Sequence, residues 1–219
     1  MNSATGKTIA PSSQPALELI TLARLSPERA RQNLRALLMA NPNYFGNITG
    51  SSFKAVLNIH EDTSYESIGS VEYNPQLQHL RATIHINQNS GYSDDMGAGG
   101  SVEYLRFYLS YDGGATWQDQ GLRPICVFDL AGPKPFVYAV ILQIIPSDEL
   151  RHGQNLPRVR AILSWISPPP AGAPNWTPVW GNVVDAQMRI DGFGFIPLST
   201  FTPASSVSTS HSAEFKDYE

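Results

Sequence analysis

The strongest constraint on the fold is an alternation of apolar and polar side chains that begins near residue 53 and recurs along most of the remaining chain. In the segment 80–87, for example, Leu80, Ala82, Ile84 and Ile86 alternate with polar residues. A period of two places these four side chains on one face of a β-strand and their polar neighbours on the other. No helical segment separates one such stretch from the next, so the strands are expected to pair antiparallel, because parallel pairing needs long crossovers.

Eight or nine strands are predicted in this way. The segment 101–111 is apolar on both faces and is therefore expected at the centre of a sheet, and 136–145 is the most apolar run of the chain. Two packed antiparallel sheets satisfy this pattern, so the predicted fold is an all-β sandwich resembling an immunoglobulin or fibronectin type III domain. The strands are expected at 53–60, 80–87, 101–111, 122–130, 136–145, 158–166 and 183–190, with a weaker strand at 65–74.

A helical hairpin is predicted to precede the sandwich. Ser26, Pro27 and Glu28 form a helix-start signal, with a capping hydroxyl, a proline at the first helical position and an acid near the positive end of the helix dipole. The sequence thus predicts four parts: a disordered N-terminus, the helical hairpin, the sandwich domain and a flexible tail. Their boundaries are 1–14, 15–40, 41–191 and 192–219.

Composition excludes several classes of protein. Charged residues make up 16% of the chain and the net charge is −4, which is the wrong sign for a nucleic-acid surface. No apolar run is long enough for a membrane-spanning helix, and the N-terminus lacks the apolar block of a secretory signal. The single cysteine, Cys126, excludes an internal disulfide and is expected to be buried. These features favour a cytoplasmic protein.

One short motif is specific. The segment Ser110-Tyr111-Asp112-Gly113-Gly114-Ala115-Thr116-Trp117 resembles the Asp-box, S-x-D-x-G-x-T-W, of sialidases and several unrelated β proteins. Its physical basis is a β-hairpin turn, in which the aspartate accepts hydrogen bonds from turn amides and a glycine takes positive φ. The resemblance implies a structural turn formed by Ser110, Asp112, Gly114, Thr116 and Trp117. The chain is too short for the propeller of sialidases.

Three other strings resemble those of uncharacterised bacterial β-sandwich proteins: 41–46 (NPNYFG), 103–108 (EYLRFY) and 177–182 (TPVWGN). This resemblance implies a bacterial protein with a shared fold over about residues 15–190. It implies no activity.

Catalytic signatures are absent from the sequence. It contains no nucleophile elbow, no phosphate loop and no dinucleotide fingerprint, so no catalytic residue and no cofactor are predicted. His60 and Glu61, with Asp94 or Asp95 of the loop 88–100, are weak candidates for metal ligands, because their spacing matches no known metal motif. The sequence predicts no metal site.

Aromatic residues in loops are the remaining functional signal. Tyr44, Phe45, Tyr92, Trp176 and Trp180 lie outside the alternating strand positions, and tyrosine and tryptophan are frequent in binding surfaces. Two interpretations stay open: the proline-rich loop folds back and buries both tryptophans, or an exposed aromatic surface binds a partner.

The favoured hypothesis is a non-catalytic binding or assembly protein whose loops and helical hairpin contact a protein partner or a second copy. The alternatives are a carbohydrate-binding module that uses Trp176 and Trp180, and a metal-assisted hydrolase. Deleting residues 1–40 is expected to change the oligomer size.

Overall fold

The structure, a computed structural model, describes residues 25–74, 77–92, 100–145 and 156–188. Several predictions fall outside these residues: the disordered N-terminus 1–14, the first helix of the hairpin (except its end at Leu25), Asp94 and Asp95, and the tail 192–219.

Seven strands form within the described residues, and they make two antiparallel sheets. The strands are β1 (Glu66–Asn74), β2 (His79–Ile86), β3 (Ser101–Ser110), β4 (Gln118–Val127), β5 (Phe136–Gln143), β6 (Arg158–Trp165) and β7 (Val183–Gln187). One sheet has the order β1-β2-β5 and the other the order β4-β3-β6-β7. The predicted all-β sandwich of immunoglobulin or fibronectin type III kind is therefore confirmed. β3 lies inside its sheet, as its two apolar faces indicate.

The main core lies between the two sheets. Every second residue of β2 points inward and is buried, from Leu80 to Ile86, and β3 contributes Leu105, Phe107 and Leu109 in the same way. The alternation seen in the sequence is thus the alternation between core and outer surface.

A single described helix, α1 (Pro27–Ala40), begins where the sequence predicts it. The Ser26 hydroxyl accepts a hydrogen bond from the backbone N–H of Arg29, and Pro27 occupies the first turn. Leu34 is buried against the sandwich, and Leu37 and Leu38 are partly buried in the same cluster. Contact of the helical hairpin with a partner stays a prediction. Within the part of the chain that the structure describes, no helix has the length and apolar character needed to cross a bilayer.

The predicted strand at 53–60 is wrong. This segment is irregular, and its backbone forms hydrogen bonds with the loop that follows α1 instead of with a strand. The N–H of Leu57 donates to the carbonyl of Tyr44, and the N–H of Ile59 donates to the carbonyl of Phe45. Leu57 and Ile59 pack against a second cluster of apolar residues, whereas Phe53 is exposed. Leu57 and Ile59 thus alternate with exposed residues although the segment pairs with no described strand.

Cys126 also differs from its prediction. It lies on β4 at the edge of the four-stranded sheet, and its side chain is exposed. Ile125 and Val127 pack inward instead, so the register of β4 turns the thiol toward solvent.

Candidate functional site

The segment 167–181, called here the proline-rich loop, folds back over the outer face of the four-stranded sheet. Arg106 Nε donates to the carbonyl of Pro169 at 2.8 Å, and Tyr108 Oη donates to the carbonyl of Pro170 at 2.9 Å. The N–H of Gly172 donates to Asp119 Oδ2 at 3.0 Å. Side chains of the sheet therefore satisfy the loop backbone and fix its position.

Arg160 holds the far end of the loop. Its guanidinium makes a two-pronged contact with the Asp185 carboxylate, at 2.7 and 2.8 Å, and donates to the carbonyl of Pro174 at 3.0 Å. The same guanidinium lies 4.4 Å from the ring centre of Trp117. The hydrogen bond to Asp185 raises the pKa of Arg160, so this side chain is charged at any physiological pH.

The end of the loop enters a second apolar cluster, called here the loop core. Trp180 lies between Phe45 and Trp165, with ring centres 4.9 and 5.2 Å away and edge-to-face geometry. Tyr44 packs on Phe45 with ring centres 5.0 Å apart. Leu34 of α1 completes one side, so the helix and the proline-rich loop share this cluster.

A pocket of about 560 Å³, called here the Trp176 pocket, opens between the end of α1, the loop 42–49 and the proline-rich loop. None of its lining residues is charged. Trp176 is half-buried in the wall, and Asn47 Oδ1 is buried without a hydrogen-bond partner. The lining is Leu38, Pro42, Asn47, Ile48, Thr49, Ser164, Trp165, Ser167, Pro168, Pro170, Gly172, Ala173, Pro174, Asn175, Trp176, Val179 and Trp180.

The predicted aromatic surface is largely wrong. Tyr44, Phe45 and Tyr92 are buried, and Trp180 is buried except where it borders the pocket. Trp176 keeps part of its ring accessible and lines the pocket. The first interpretation of the proline-rich loop, that it folds back as a cover, describes Trp180 but only partly describes Trp176.

The Asp-box segment forms the turn between β3 and β4. Asp112 Oδ1 accepts from the N–H of Thr116 at 2.8 Å, and Oδ2 accepts from its hydroxyl at 2.6 Å. The Ser110 hydroxyl donates to Asp112 and accepts from the N–H of Gly114, whose φ is +102°. The hydrogen bonds from Thr116 and Ser110 lower the pKa of Asp112. The side chains of Ser110, Asp112 and Thr116 thus bond one another and the turn backbone, which supports a structural role for the motif.

The metal candidates do not converge in the described residues. His60 and Glu61 are exposed, and the backbone N–H of Glu61 bonds the carbonyl of Pro178. Within the described ranges, no three histidine, cysteine, aspartate or glutamate side chains are placed to hold a metal ion together.

Sequence reasoning missed a buried ionic cluster beneath α1. Arg31 is 2% exposed and donates to both Glu66, on β1, and Glu103, on β3. The Arg31 guanidinium lies between the rings of Tyr65 and Trp165, 4.1 Å from each ring centre. The cluster therefore links the helix to both sheets.

Burial sets the protonation of this cluster. Desolvation and the nearby Glu66 raise the pKa of Glu103 to about 8, and desolvation also raises the pKa of Glu66. A neutral Glu103 beside a charged Arg31–Glu66 pair leaves no net charge in the core. The sequence held one signal, since Glu103 shares the inward face of β3 with Leu105 and Phe107.

Comparisons with known proteins give weak similarities. No protein-family model and no curated protein matches the chain. Among solved structures, the ligand binding region of serine-glutamate repeat protein A of Enterococcus faecium aligns with 11% identity and a TM-score of 0.27, covering 57% of this chain and 89% of that one. A β-glucosidase from Kluyveromyces marxianus in complex with glucose aligns with 10% identity and a TM-score of 0.29, covering 57% of this chain and 14% of the enzyme.

A Bifidobacterium adolescentis GH3 β-glucosidase gives 12% identity and a TM-score of 0.27, covering 58% of this chain and 17% of the enzyme. The chain thus spans less than a fifth of either glucosidase. TM-scores this low carry no argument about function.

Proposed function

We propose that this protein is a non-catalytic binding domain that takes an uncharged, mainly apolar segment of a partner protein into the Trp176 pocket. The observation that supports the proposal is the pocket itself, with its uncharged lining and a partly accessible tryptophan on a fixed loop. A volume of about 560 Å³ lies within the range of ligand sites.

The chemistry of the lining favours an apolar segment. Four prolines and three tryptophans line the pocket, and no side chain there would pair with a charged group of the ligand. A charged segment would lose its hydration without compensation, whereas an aliphatic or aromatic side chain would gain from burial.

The fixed position of the loop supports tight binding. Arg106, Tyr108 and Arg160 hold loop carbonyls, so little ordering is left to occur when a ligand enters. A preformed site loses less conformational entropy on binding than a mobile one.

A second candidate is an uncharged sugar. The accessible indole of Trp176 could stack on a pyranose ring, and the amide and hydroxyl groups of Asn47 and Thr49 could bond its hydroxyls. Such a ligand also satisfies the uncharged lining, so the two candidates must be separated by experiment.

The test is selection of short random peptides by display on the immobilised full-length protein, beside a glycan array. We expect the wild type to enrich peptides with an uncharged apolar centre, and Trp176→Ala to weaken them at least about tenfold, as for the truncation of a binding hot spot. Phe128→Ala is the matched control, because Phe128 is an exposed aromatic residue that does not line the pocket.

Two outcomes contradict the proposal. If the selected peptides bind Trp176→Ala as tightly as the wild type, the pocket is not their binding site. Glycan binding that is lost in Trp176→Ala, with no peptide enriched, would select the sugar candidate instead.

A further inference from the structure

Among the described residues, none pairs with the outer edge of β5. β5 is the last strand of its sheet, and it pairs with β2 on one side only. Arg123 Nε, from β4, donates to the carbonyl of Ile141 at 3.3 Å, so this carbonyl points away from β2. In an antiparallel strand the N–H and C=O of one residue point to the same side, and successive residues alternate. The backbone groups of Val137, Ala139, Ile141 and Gln143 therefore face the free edge.

The side chains of these four residues also face solvent. Val137 is 60% exposed and Ile141 is 48% exposed, while the intervening Val140 and Leu142 lie in the main core. No residue between Phe136 and Gln143 is charged. The β5 edge, defined by these four residues, combines unpaired backbone groups with an apolar row, which is the combination that promotes pairing with another strand.

The other described edges are interrupted. β4 contains Pro124, which has no N–H to offer, and a bulge where its register with β3 shifts near Gly121. β1 has a similar shift at Gly69. β7 is five residues long, and its Asp185 is bound by Arg160. The β5 edge has no proline and no register shift, and it is eight residues long. The described contact that protects it is the hydrogen bond from Arg123.

We propose that β5 pairs with β5 of a second copy of this chain, antiparallel across a two-fold axis near Val140. Two three-stranded sheets then become one six-stranded sheet. Ala139 lies opposite the partner's Ile141, and the apolar row of one copy continues into that of the other.

A second copy is the occupant that fits this edge, because the strand is its own complement. At every second residue of β5 both the N–H and the C=O face the edge, and this spacing matches that of another extended strand. An uncharged strand meets its own copy without like-charge repulsion, and a symmetric pairing closes after two subunits.

Arg123 opposes this pairing. Its guanidinium donates a hydrogen bond to the carbonyl of Ile141, and this bond must break before a second strand can pair there. A positive charge beside an edge strand is one means by which proteins limit such pairing. Removing Arg123 should therefore tighten the dimer, whereas removing an ordinary interface residue would weaken it.

Sedimentation equilibrium of the full chain over a wide concentration range tests the proposal. We expect a monomer–dimer equilibrium for the wild type, a dissociation constant at least about tenfold higher for Ile141→Lys, and a lower one for Arg123→Ala. Val56→Lys is the matched control, because Val56 is comparably exposed but lies outside the sheets. Ala139→Pro removes an edge-facing N–H without removing a bond to β2, and it should abolish the dimer in a folded protein.

Amide hydrogen exchange gives a second readout. At concentrations that favour the dimer, the N–H groups of Val137, Ala139 and Ile141 should become protected, while those of Val140 and Leu142 stay as they are. A monomer at every concentration overturns the proposal, as does a dimer that Ile141→Lys and Ala139→Pro leave unchanged.

Discussion

The outer faces of the two sheets differ in what covers them. The four-stranded sheet is covered by the proline-rich loop, so that Tyr108 and Ile162 are fully buried on its outer side. In the part of the chain that the structure describes, the outer face of the three-stranded sheet is bare: Glu72 pairs there with Arg81 at 2.9 Å, and both side chains are about half exposed. The Trp176 pocket lies on the covered side, and the three-stranded sheet ends in the β5 edge. The ionic cluster lies between these two regions, beneath α1, where it contacts both sheets.

This difference shows that an apolar strand sequence does not by itself place a strand. β3 and β5 both read as strongly apolar runs, yet β3 is central and covered, and β5 is at an edge with its outer side chains in solvent. The cover depends on a distant loop whose carbonyls meet Arg106, Tyr108 and Arg160. Coverage is thus decided by long-range hydrogen bonds rather than by local pattern.

Replacing Trp180 should lower the free energy of unfolding much more than replacing Trp176. Trp180→Ala empties the loop core, where the ring is 3% exposed, and should lower the free energy of unfolding by about 4 kcal/mol. Trp176→Ala should cost less than about 1 kcal/mol, because its ring is half-buried at a pocket wall. Urea unfolding measures both; equal losses would mean that the two rings are not packed as described.

The buried Arg31 and the exposed Arg81 should contribute very differently to stability. Arg31→Met leaves two buried carboxyl groups without their cation and should lower the free energy of unfolding by about 3 kcal/mol. Arg81→Met on the bare sheet removes an exposed ion pair and should cost less than about 1 kcal/mol. Similar values for the two variants in urea unfolding would show that the cluster is accessible to water.

The pH dependence of stability should come from the buried ionic cluster. Burial and the nearby Glu66 raise the pKa of Glu103 to about 8, so at neutral pH the folded protein holds a proton that the unfolded chain has released. The free energy of unfolding should therefore fall as the pH rises from 6 to 8, by about 1 kcal/mol per pH unit. Glu103→Gln should flatten this slope in urea titrations; a slope unchanged by the substitution would place the proton elsewhere.

Most of the sandwich was predictable from the sequence. Seven predicted strands match observed ones, because a side chain that alternates between core and solvent leaves a period of two in the sequence. The N-terminus of α1 was predictable for a local reason as well, since Ser26 and Pro27 act within one turn.

The candidate site was less predictable. Tyr44, Phe45 and Trp180 read as loop aromatics, but Phe45, next to Tyr44 in the chain, packs on Trp180 from a distant loop. The burial of Arg31 depends on Glu66 and Glu103 from two different sheets, which the local helix pattern does not reveal. Apolar and polar residues alternate in the segment 53–60 as they do in a strand, but its backbone forms hydrogen bonds with a loop. Each miss is a contact between residues far apart in sequence.

A smaller effect is expected at the turn between β3 and β4, which lies outside the two regions compared. Asp112→Ala removes the acceptor for the N–H of Thr116 and should speed amide exchange at Gly114 and Thr116, with little change in the unfolding midpoint. Thr116→Val removes only the hydroxyl contact and should have a weaker effect in the same direction. Unchanged exchange in Asp112→Ala would show that the glycines alone fix the turn.

The most direct test of the binding account uses the indole N–H signals of the four tryptophans in a proton–nitrogen correlation spectrum. On titration with a peptide selected by the wild type, the account predicts that the Trp176 signal moves in step with binding while the Trp117 signal, outside the pocket lining, stays in place. A Trp176 signal that remains fixed while the peptide binds would contradict the account.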